Sequence, residues 1–303
     1  MVEATKEPLT MTWLITGASG QLGLAMQSEL TERKIQYLAL ASKDLDVTNP
    51  ESISKIFSEN TPSVVVNCAA WTDVDGAEAN KEMAFAVNAF GPKNLAVASK
   101  SAGAIFVHIS TDYVFSGESD TPWPEDAVRN PASVYGSSKC DGEIFVENFY
   151  PEGSYIIRTA WLYSSNGKNF AKTMTRLALQ GHGEVNVVND QIGQPTSTRD
   201  LARQIANLAL SNASYGIYHG TNGGSASWFD FAQVIFELTG ADKKRVIPVS
   251  SFQFQRPAKR PGYSVLGHKS WEASGVPKMR TWKVALADAM PEIIEEYKKE
   301  MSK

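Results

Sequence analysis

Residues 12–34 read TWLITGASGQLGLAMQSELTERK. Residues 12–16 form a short apolar run with β-branched members, which suits a buried strand. Gly17, Gly20 and Gly23 follow at once. Leu22, Met26 and Leu30 then recur at helical spacing. Strand, glycine turn and helix in that order are what a dinucleotide site requires. The glycines permit a tight turn and let the backbone approach a pyrophosphate. The helix N-terminus then offers unpaired N–H groups and a partial positive charge. The spacing is GxxGxxG rather than GxGxxG, so the flanking elements carry the reading. The competing reading is a plain strand–helix turn.

Moving outward, residues 35–40 read as a second strand. After it come Ser42 and Lys43, with no acidic residue to hold a ribose 2′-hydroxyl. A hydroxyl and an ammonium there tolerate a 2′-phosphate, which favours NADPH and leaves NADH as the alternative. Asn49 and Pro50 suit the cap and first turn of a helix running through Phe57. Residues 64–68 are a third buried strand, and Ala70, Trp71 and Thr72 follow its carboxyl end. Small residues there leave room for a cofactor. A helix over 84–102 and a strand over 104–109 continue the alternation. Strands alternating with helices predict an α/β fold with a doubly wound parallel sheet, the Rossmann arrangement. The acidic run Asp73, Asp75 and Glu78 reads as a solvated loop or helix N-terminus.

The second half is less regular. Residues 155–161 read as a strand, 166–170 as a loop, 171–179 as a helix, and 184–196 as an irregular polar stretch broken by Gly and Pro. Residues 200–210, 229–238 and 284–297 look helical, 216–219 a short strand, and 256–266 a loop. This predicts a smaller α+β substrate domain. The expected division is 1–160 for the dinucleotide-binding domain, with 197–220 returning to it, and 161–196 plus 221–303 for the substrate domain.

Tyr135 precedes Lys139 by four residues. Positions four apart on a helix share a face. An ammonium beside a phenol favours the phenolate and is expected to lower the tyrosine pKa. Such a tyrosine can protonate a developing alkoxide. Lys139, Glu143 and Glu147 space out as an exposed helical face. Ser110 and Thr111, at the end of the 104–109 run, could hydrogen-bond the same oxygen. On their own, a Tyr and a Lys at this spacing are usually chance.

Bulk properties narrow the class. The chain has 303 residues, 43% hydrophobic and 20% charged, enough for a large core. A net charge of −4 and the lack of a basic cluster argue against a nucleic-acid partner. Two cysteines, Cys68 and Cys140, make no disulfide or metal pattern and fit a reducing compartment. Cys68 reads as a core residue. No apolar stretch approaches the roughly 18 residues of a membrane helix, and the polar first eleven residues lack a signal core. The expected location is the cytoplasm.

Taken together, these residues resemble a family. Residues 17–23, the STDYVF segment at 110–115, Tyr135-Gly136-x-x-Lys139-x-x-Gly142-Glu143 and Arg158-Thr159-x-Trp161 resemble the extended short-chain dehydrogenases. Asn169-Phe170, the NDQ at 189–191 with Pro195-Thr196 and Arg199-Asp200-Leu201-Ala202, and Arg260-Pro261 before Ser264-Val265-Leu266 are similar to the dTDP-4-dehydrorhamnose reductases. The resemblance implies a cofactor site at Gly20, Gln21 and Leu22 for the pyrophosphate, with Asp46 and Val47 beside the adenine. Ala70, Trp71, Thr72 and Ile109 would be its walls. It implies Tyr135 as general acid, Lys139 on the nicotinamide ribose and Thr111 on the substrate C4 oxygen. Thr111, Asp112, Trp161, Asn169, Gln191 and Arg260 are its substrate-side positions. The implied reaction is reduction of dTDP-4-dehydro-L-rhamnose to dTDP-L-rhamnose, a polysaccharide precursor, by hydride from NAD(P)H. The related 4,6-dehydratases carry an acid where Tyr113 stands, so elimination is discounted. Mg²⁺ accompanies some members of the family, but no ligand cluster marks a site and no metal residue is assigned. A monomer and a homodimer both fit.

Plainer readings stand beside these. Asn169 and Phe170 could only cap and pack a helix, Asn189–Gln191 could be a turn, and Arg260 could be solvated. His108 reads as a satisfied core histidine, and Trp123, Trp228, Trp271 and Trp282 as packing residues. Two other functions also remain. One is a non-catalytic NADP-binding subunit resembling the regulator of methionine adenosyltransferase. The other is a ketoreductase for a different dTDP-deoxysugar.

Overall fold

The computed structural model describes residues 12–302; the polar first eleven residues lie outside them. Five strands come first: β1 (Trp13–Thr16), β2 (Tyr37–Leu40), β3 (Val64–Asn67), β4 (Ile105–Thr111) and β5 (Ser154–Thr159). With Gly216–His219 they make one six-stranded sheet. Its order is Gly216–His219, β5, β4, β3, β1, β2, and every pairing is parallel. From β1 the chain goes to one side for β2 and to the other for β3. That reversal opens a crevice at the carboxyl ends of β1 and β3, where ligands of such sheets bind. The apolar runs are continuous rather than alternating because helices cover both faces. Leu14, Val65, Phe106 and Ile156 face one core; Trp13, Ile15, Val66 and Ile157 face the other.

The glycine turn leads from β1 into helix α1 (Gln21–Glu32). Gly17 has φ of +63°, and a Cβ there would lie 2.6 Å from the Ala69 nitrogen of the neighbouring strand end. Asn49 caps helix α2 (Pro50–Asn60) by accepting from the backbone N–H groups of Glu51 and Ser52, with Pro50 in its first turn. The expected helix over 84–102 begins earlier, at Lys81, and is interrupted by a π-turn at Ala86–Phe90.

The second half packs a separate core around Phe231, Phe236, Leu286 and Ile293. Its helices are Phe170–Gln180, Trp228–Leu238 and Trp282–Met301. Val185–Val188 pairs in parallel with Val246–Val249, a ladder the polar reading of this region did not foresee. The helix Thr198–Ala209 and the strand Gly216–His219 do belong to the large sheet's core. So do Trp271 and Val276, which fall inside the 221–303 block assigned to the smaller domain. Their burial under Leu201 and Tyr218 brings the chain back to the large core a second time.

Candidate active site

Two clefts meet at the rim of the sheet. The first, about 470 Å³, lies over the carboxyl ends of β1, β3 and β4. It is lined by Gly17, Gly20, Gln21, Leu22 and Gly23, and by Ser42, Asp46 and Val47. Ala70, Trp71, Thr72, Ile109, Tyr135 and Lys139 also line it. Of the residues expected around a cofactor, Lys43 alone stands outside, exposed beyond Ser42. Cys68, read as a core residue, also lines this cleft. Burial pushes its thiol up to about 12, so it is an inert wall.

Buried polar groups fix this cleft. Thr16 Oγ1 donates to Asn67 Oδ1 at 2.7 Å, and Asn67 Nδ2 lies 3.1 Å from His108 Nδ1. This chain stitches β1, β3 and β4 together below the glycine turn. Asn88 comes from the π-turn. Its amide accepts from the Trp71 N–H at 2.8 Å and donates to the Trp71 carbonyl at 3.0 Å and to Ser138 Oγ at 3.0 Å. One side chain thereby joins the cofactor wall to the Tyr135 helix, as π-turns near functional sites often do. Nothing local in the sequence marked Asn88.

Ser133 caps the helix Val134–Phe149, which carries Tyr135 and Lys139. Lys139 is 2% exposed, and its Nζ donates to the Ile109 carbonyl at 2.5 Å. Burial lowers its pKa to about 8, against the pull of Glu143 and Cys68. The expected exposed face is therefore not there. Lys139 and Glu143 point inward, and Glu147 alone is partly exposed. Glu143 is fully buried because Arg158 grips it from β5, at 2.7 and 2.9 Å. Ser110 Oγ donates to it at 2.5 Å and Arg129 at 3.0 Å. An unpaired carboxylate could not be kept at such a position.

The expected lowering of the Tyr135 pKa is also overturned. Burial pushes the phenol up to about 12; the Thr111 hydroxyl opposes the shift and Asp112 adds to it. Desolvation exceeds any pull from Lys139, whose ammonium is turned to the Ile109 carbonyl. The result is a protonated phenol at neutral pH, the form a general acid needs.

The second cleft, about 420 Å³, opens beside the first. Tyr113 lines it and meets the Tyr135 ring edge-on at 5.5 Å, so Tyr135 stands at the junction of the two. Trp161 follows β5 with φ of +47°, outside the strand expected to include it. Its indole stacks on Trp228 at 3.5 Å, with the rings 9° from parallel. Trp228, read as a packing residue, thus lines the cleft with Trp161, as do Gln191 and Arg260. Arg260 is held at 2.8 Å by Asp75, which stands in the first turn of the helix Val74–Ala79, so Arg260 is not the solvated group of the plainer reading. Arg256, not singled out in the sequence, lines the cleft from an exposed position. Asp112 is buried beneath this corner and accepts from Thr111 Oγ1 at 2.9 Å. Burial raises its pKa to about 6, against the Ser264 and Thr111 hydroxyls. Asn169 is not in this cleft. It caps the helix Phe170–Gln180 and donates to Gln21 Oε1 at 2.9 Å, while its neighbour Phe170 lines the cleft.

Among the described residues no three His, Cys, Asp or Glu come together as a metal site, and no helix is long and apolar enough to cross a membrane.

A wound parallel sheet with a glycine turn, and Thr111, Tyr135 and Lys139 at its rim, define a short-chain dehydrogenase/reductase. The family described as the RmlD substrate-binding domain matches residues 11–295. The chain belongs to this family, that of the dTDP-4-dehydrorhamnose reductases. It is 44% identical to the dTDP-4-dehydrorhamnose reductase of Streptomyces griseus, covering 92% of this chain and 93% of the relative. It is equally 44% identical to a probable dTDP-4,6-dihydroxy-2-methyloxan-3-one 4-ketoreductase of Streptomyces antibioticus, covering 94% and 96%. The crystal structure of dTDP-4-dehydrorhamnose reductase from Bacillus anthracis in complex with NADP superposes with a TM-score of 0.88 at 40% identity, over 94% of this chain and all of that one.

Proposed function

We propose that this chain reduces the 4-keto group of dTDP-4-dehydro-L-rhamnose with NADPH, and that Tyr135 is the general acid. The observation that carries this is the place of Tyr135, with its phenol protonated, at the junction of the two clefts. The first cleft suits a nicotinamide dinucleotide. A Cβ at Gly23 would run into the Gly17 carbonyl, so the turn keeps backbone where a pyrophosphate approaches. Ser42 lines the cleft, while Asp44 of the same turn is bound to the Ala41 N–H and does not line it, which favours NADPH over NADH.

NADPH, when bound, supplies the hydride to the sugar C4 carbon. Tyr135 gives its proton to the C4 oxygen as charge develops there. We assign the same oxygen to Thr111, whose buried hydroxyl here donates to Asp112. Lys139 binds the nicotinamide ribose and holds the Tyr135 helix against β4 through the Ile109 carbonyl. In the second cleft the Trp161–Trp228 stack offers an apolar platform and Gln191 a polar contact, with Asp112 buried beneath. Arg256 is the cleft guanidinium without a hydrogen-bonded partner among the described residues, and we assign it the diphosphate. Arg260, held by Asp75, shapes the wall.

A second reading is a ketoreductase for another dTDP-deoxysugar, favoured by the equal identity to the Streptomyces antibioticus relative. The test is NADPH oxidation with dTDP-4-dehydro-L-rhamnose generated in situ, alongside other dTDP-4-keto sugars. Preferred turnover of the rhamnose precursor supports the first reading. Tyr135→Phe is expected to lower kcat by about 10²- to 10⁴-fold with NADPH affinity retained. Undiminished turnover would remove Tyr135 from the acid role.

A further inference from the structure

Asn169 lies between the two clefts. Its Nδ2 donates to the Ser164 carbonyl at 2.9 Å, and its Oδ1 accepts from the Lys172 N–H at 2.9 Å as the cap of the helix Phe170–Gln180. A carbonyl can only accept and an N–H can only donate. These two backbone partners therefore fix which end of the Asn169 amide carries hydrogen. The second hydrogen on Nδ2 meets Gln21, and Ser164 Oγ approaches the same atom at 3.1 Å. The Gln21 atom that faces the Asn169 Nδ2 donor has to be its oxygen; the one hydrogen of the Ser164 hydroxyl has its shorter contact with the Asn166 carbonyl, at 2.8 Å. Gln21 Nε2 is then the free end of the amide. It has no protein partner among the described residues, and Gln21, at the start of α1, lines both the cofactor cleft and a neighbouring cleft bordered by Ser164 and Asn166.

We infer that Asn169 is a positioning residue for the cofactor: through Gln21 Oε1 it orients the Gln21 amide with its N–H groups free for the dinucleotide's pyrophosphate. The helix cap of the substrate domain thus sets the donor end of a side chain in the cofactor turn. The same cap places Phe170 in the substrate cleft, so one residue registers the two clefts against each other. This inference rests on the dinucleotide reading of the first cleft. Residual NADPH binding by every variant below keeps a failure of the inference distinct from a failure of that reading.

The test uses Asn169→Asp. Aspartate is a good N-cap and keeps the helix, but it has no hydrogen for Gln21 or for the Ser164 carbonyl. The Gln21 amide then turns to donate to the new carboxylate and shows its oxygen to the pyrophosphate. The Kd for NADPH, from nicotinamide fluorescence, is expected to rise about 10- to 100-fold, as for loss of a hydrogen bond to a charged group. The melting temperature without cofactor should fall by only a few degrees, for the lost donor to the Ser164 carbonyl, and the nucleotide-sugar KM at saturating NADPH should stay near wild type. In a Gln21→Ala background the Asn169→Asp change should have no further effect on NADPH. Wild-type NADPH affinity in Asn169→Asp, an equal loss in both backgrounds, or a change confined to the sugar KM would each overturn the inference.

Discussion

The two clefts are built by different means. The cofactor cleft is the rim of one regular sheet. Its walls are a glycine turn and strand ends, and its depth follows from the order in which parallel strands pair. The aromatic cleft has no such frame. One wall is the short strand Val185–Val188, and Tyr113, Trp161, Phe170, Gln191, Trp228 and Arg260 reach the cleft from separate turns, helices and loops. Side-chain stacking replaces backbone register as the organising force. A backbone-built site tolerates little change in shape but binds one invariant ligand. A side-chain-built site can be altered residue by residue, which fits a family whose members carry the names of different 4-ketoreductases.

The sharpest way to break this contrast is at the glycine turn. A methyl group at Gly23 meets the Gly17 carbonyl and the Ala18 backbone, which cannot move aside as a flexible side chain would. Gly23→Ala is expected to weaken NADPH by about 100-fold. Calorimetric binding of dTDP should persist, because the second cleft shares no backbone with that turn. Parallel loss of both ligands would mean the clefts are not separately built. Next in size is Trp228→Ala, which removes the ring under Trp161. The nucleotide-sugar KM should rise about 10- to 30-fold while NADPH Kd holds, and Trp228→Phe should recover most of the loss. A smaller effect is expected of Arg256→Ala, about tenfold on the sugar KM at low salt. The wild-type KM should climb with ionic strength and that of the variant should not, since an exposed charge pair is screened. A salt-independent wild type would take the diphosphate away from Arg256.

The same contrast explains what could be read in the sequence. The cofactor cleft is local. Gly17 and Gly20 lie between a four-residue strand and a helix, and Gly23 lies in that helix's first turn, so their order in the chain is their order in space. The partners of the aromatic cleft are distant, and no spacing ties Trp228 to Trp161. The ladder of Val185–Val188 with Val246–Val249 was hidden in the same way, since neither four-residue run names its partner. The turn of Glu143 to the inside escaped for another reason. Three charges four apart read as a solvated face. Only Arg158, alone among the apolar residues of β5, signalled that a buried counter-charge was needed. The Tyr135 pKa went the opposite way because adjacency on a helix says nothing about burial, and here burial dominates.

The smallest effect concerns pH, and it again separates the clefts. In the cofactor cleft, burial brings Lys139 down to about 8 from its ordinary 10.5. Above that pH its charge is lost, while the Tyr135 phenol stays protonated. The kcat/KM for reduction, which reports the free enzyme, should be halved near pH 8 and fall about tenfold per unit beyond. Stability should move the other way. An unfolded lysine keeps its proton up to 10.5 and the folded one gives it up from about 8. Between those values the unfolded state binds more protons, and stability rises with pH. Lys139→Met should therefore be more stable than wild type at pH 7, by a margin that shrinks from pH 8 to 10.5. The aromatic cleft responds at the acid end. Burial works against the Asp75 carboxylate there, but the Ala258 N–H and Arg260 outweigh it and hold its pKa below the usual range. That contribution is present at neutral pH and is lost only as the pH falls through the lowered value. A wild-type profile flat to pH 10, or a stability margin for Lys139→Met that does not change with pH, would mean that Lys139 keeps its charge in the folded protein.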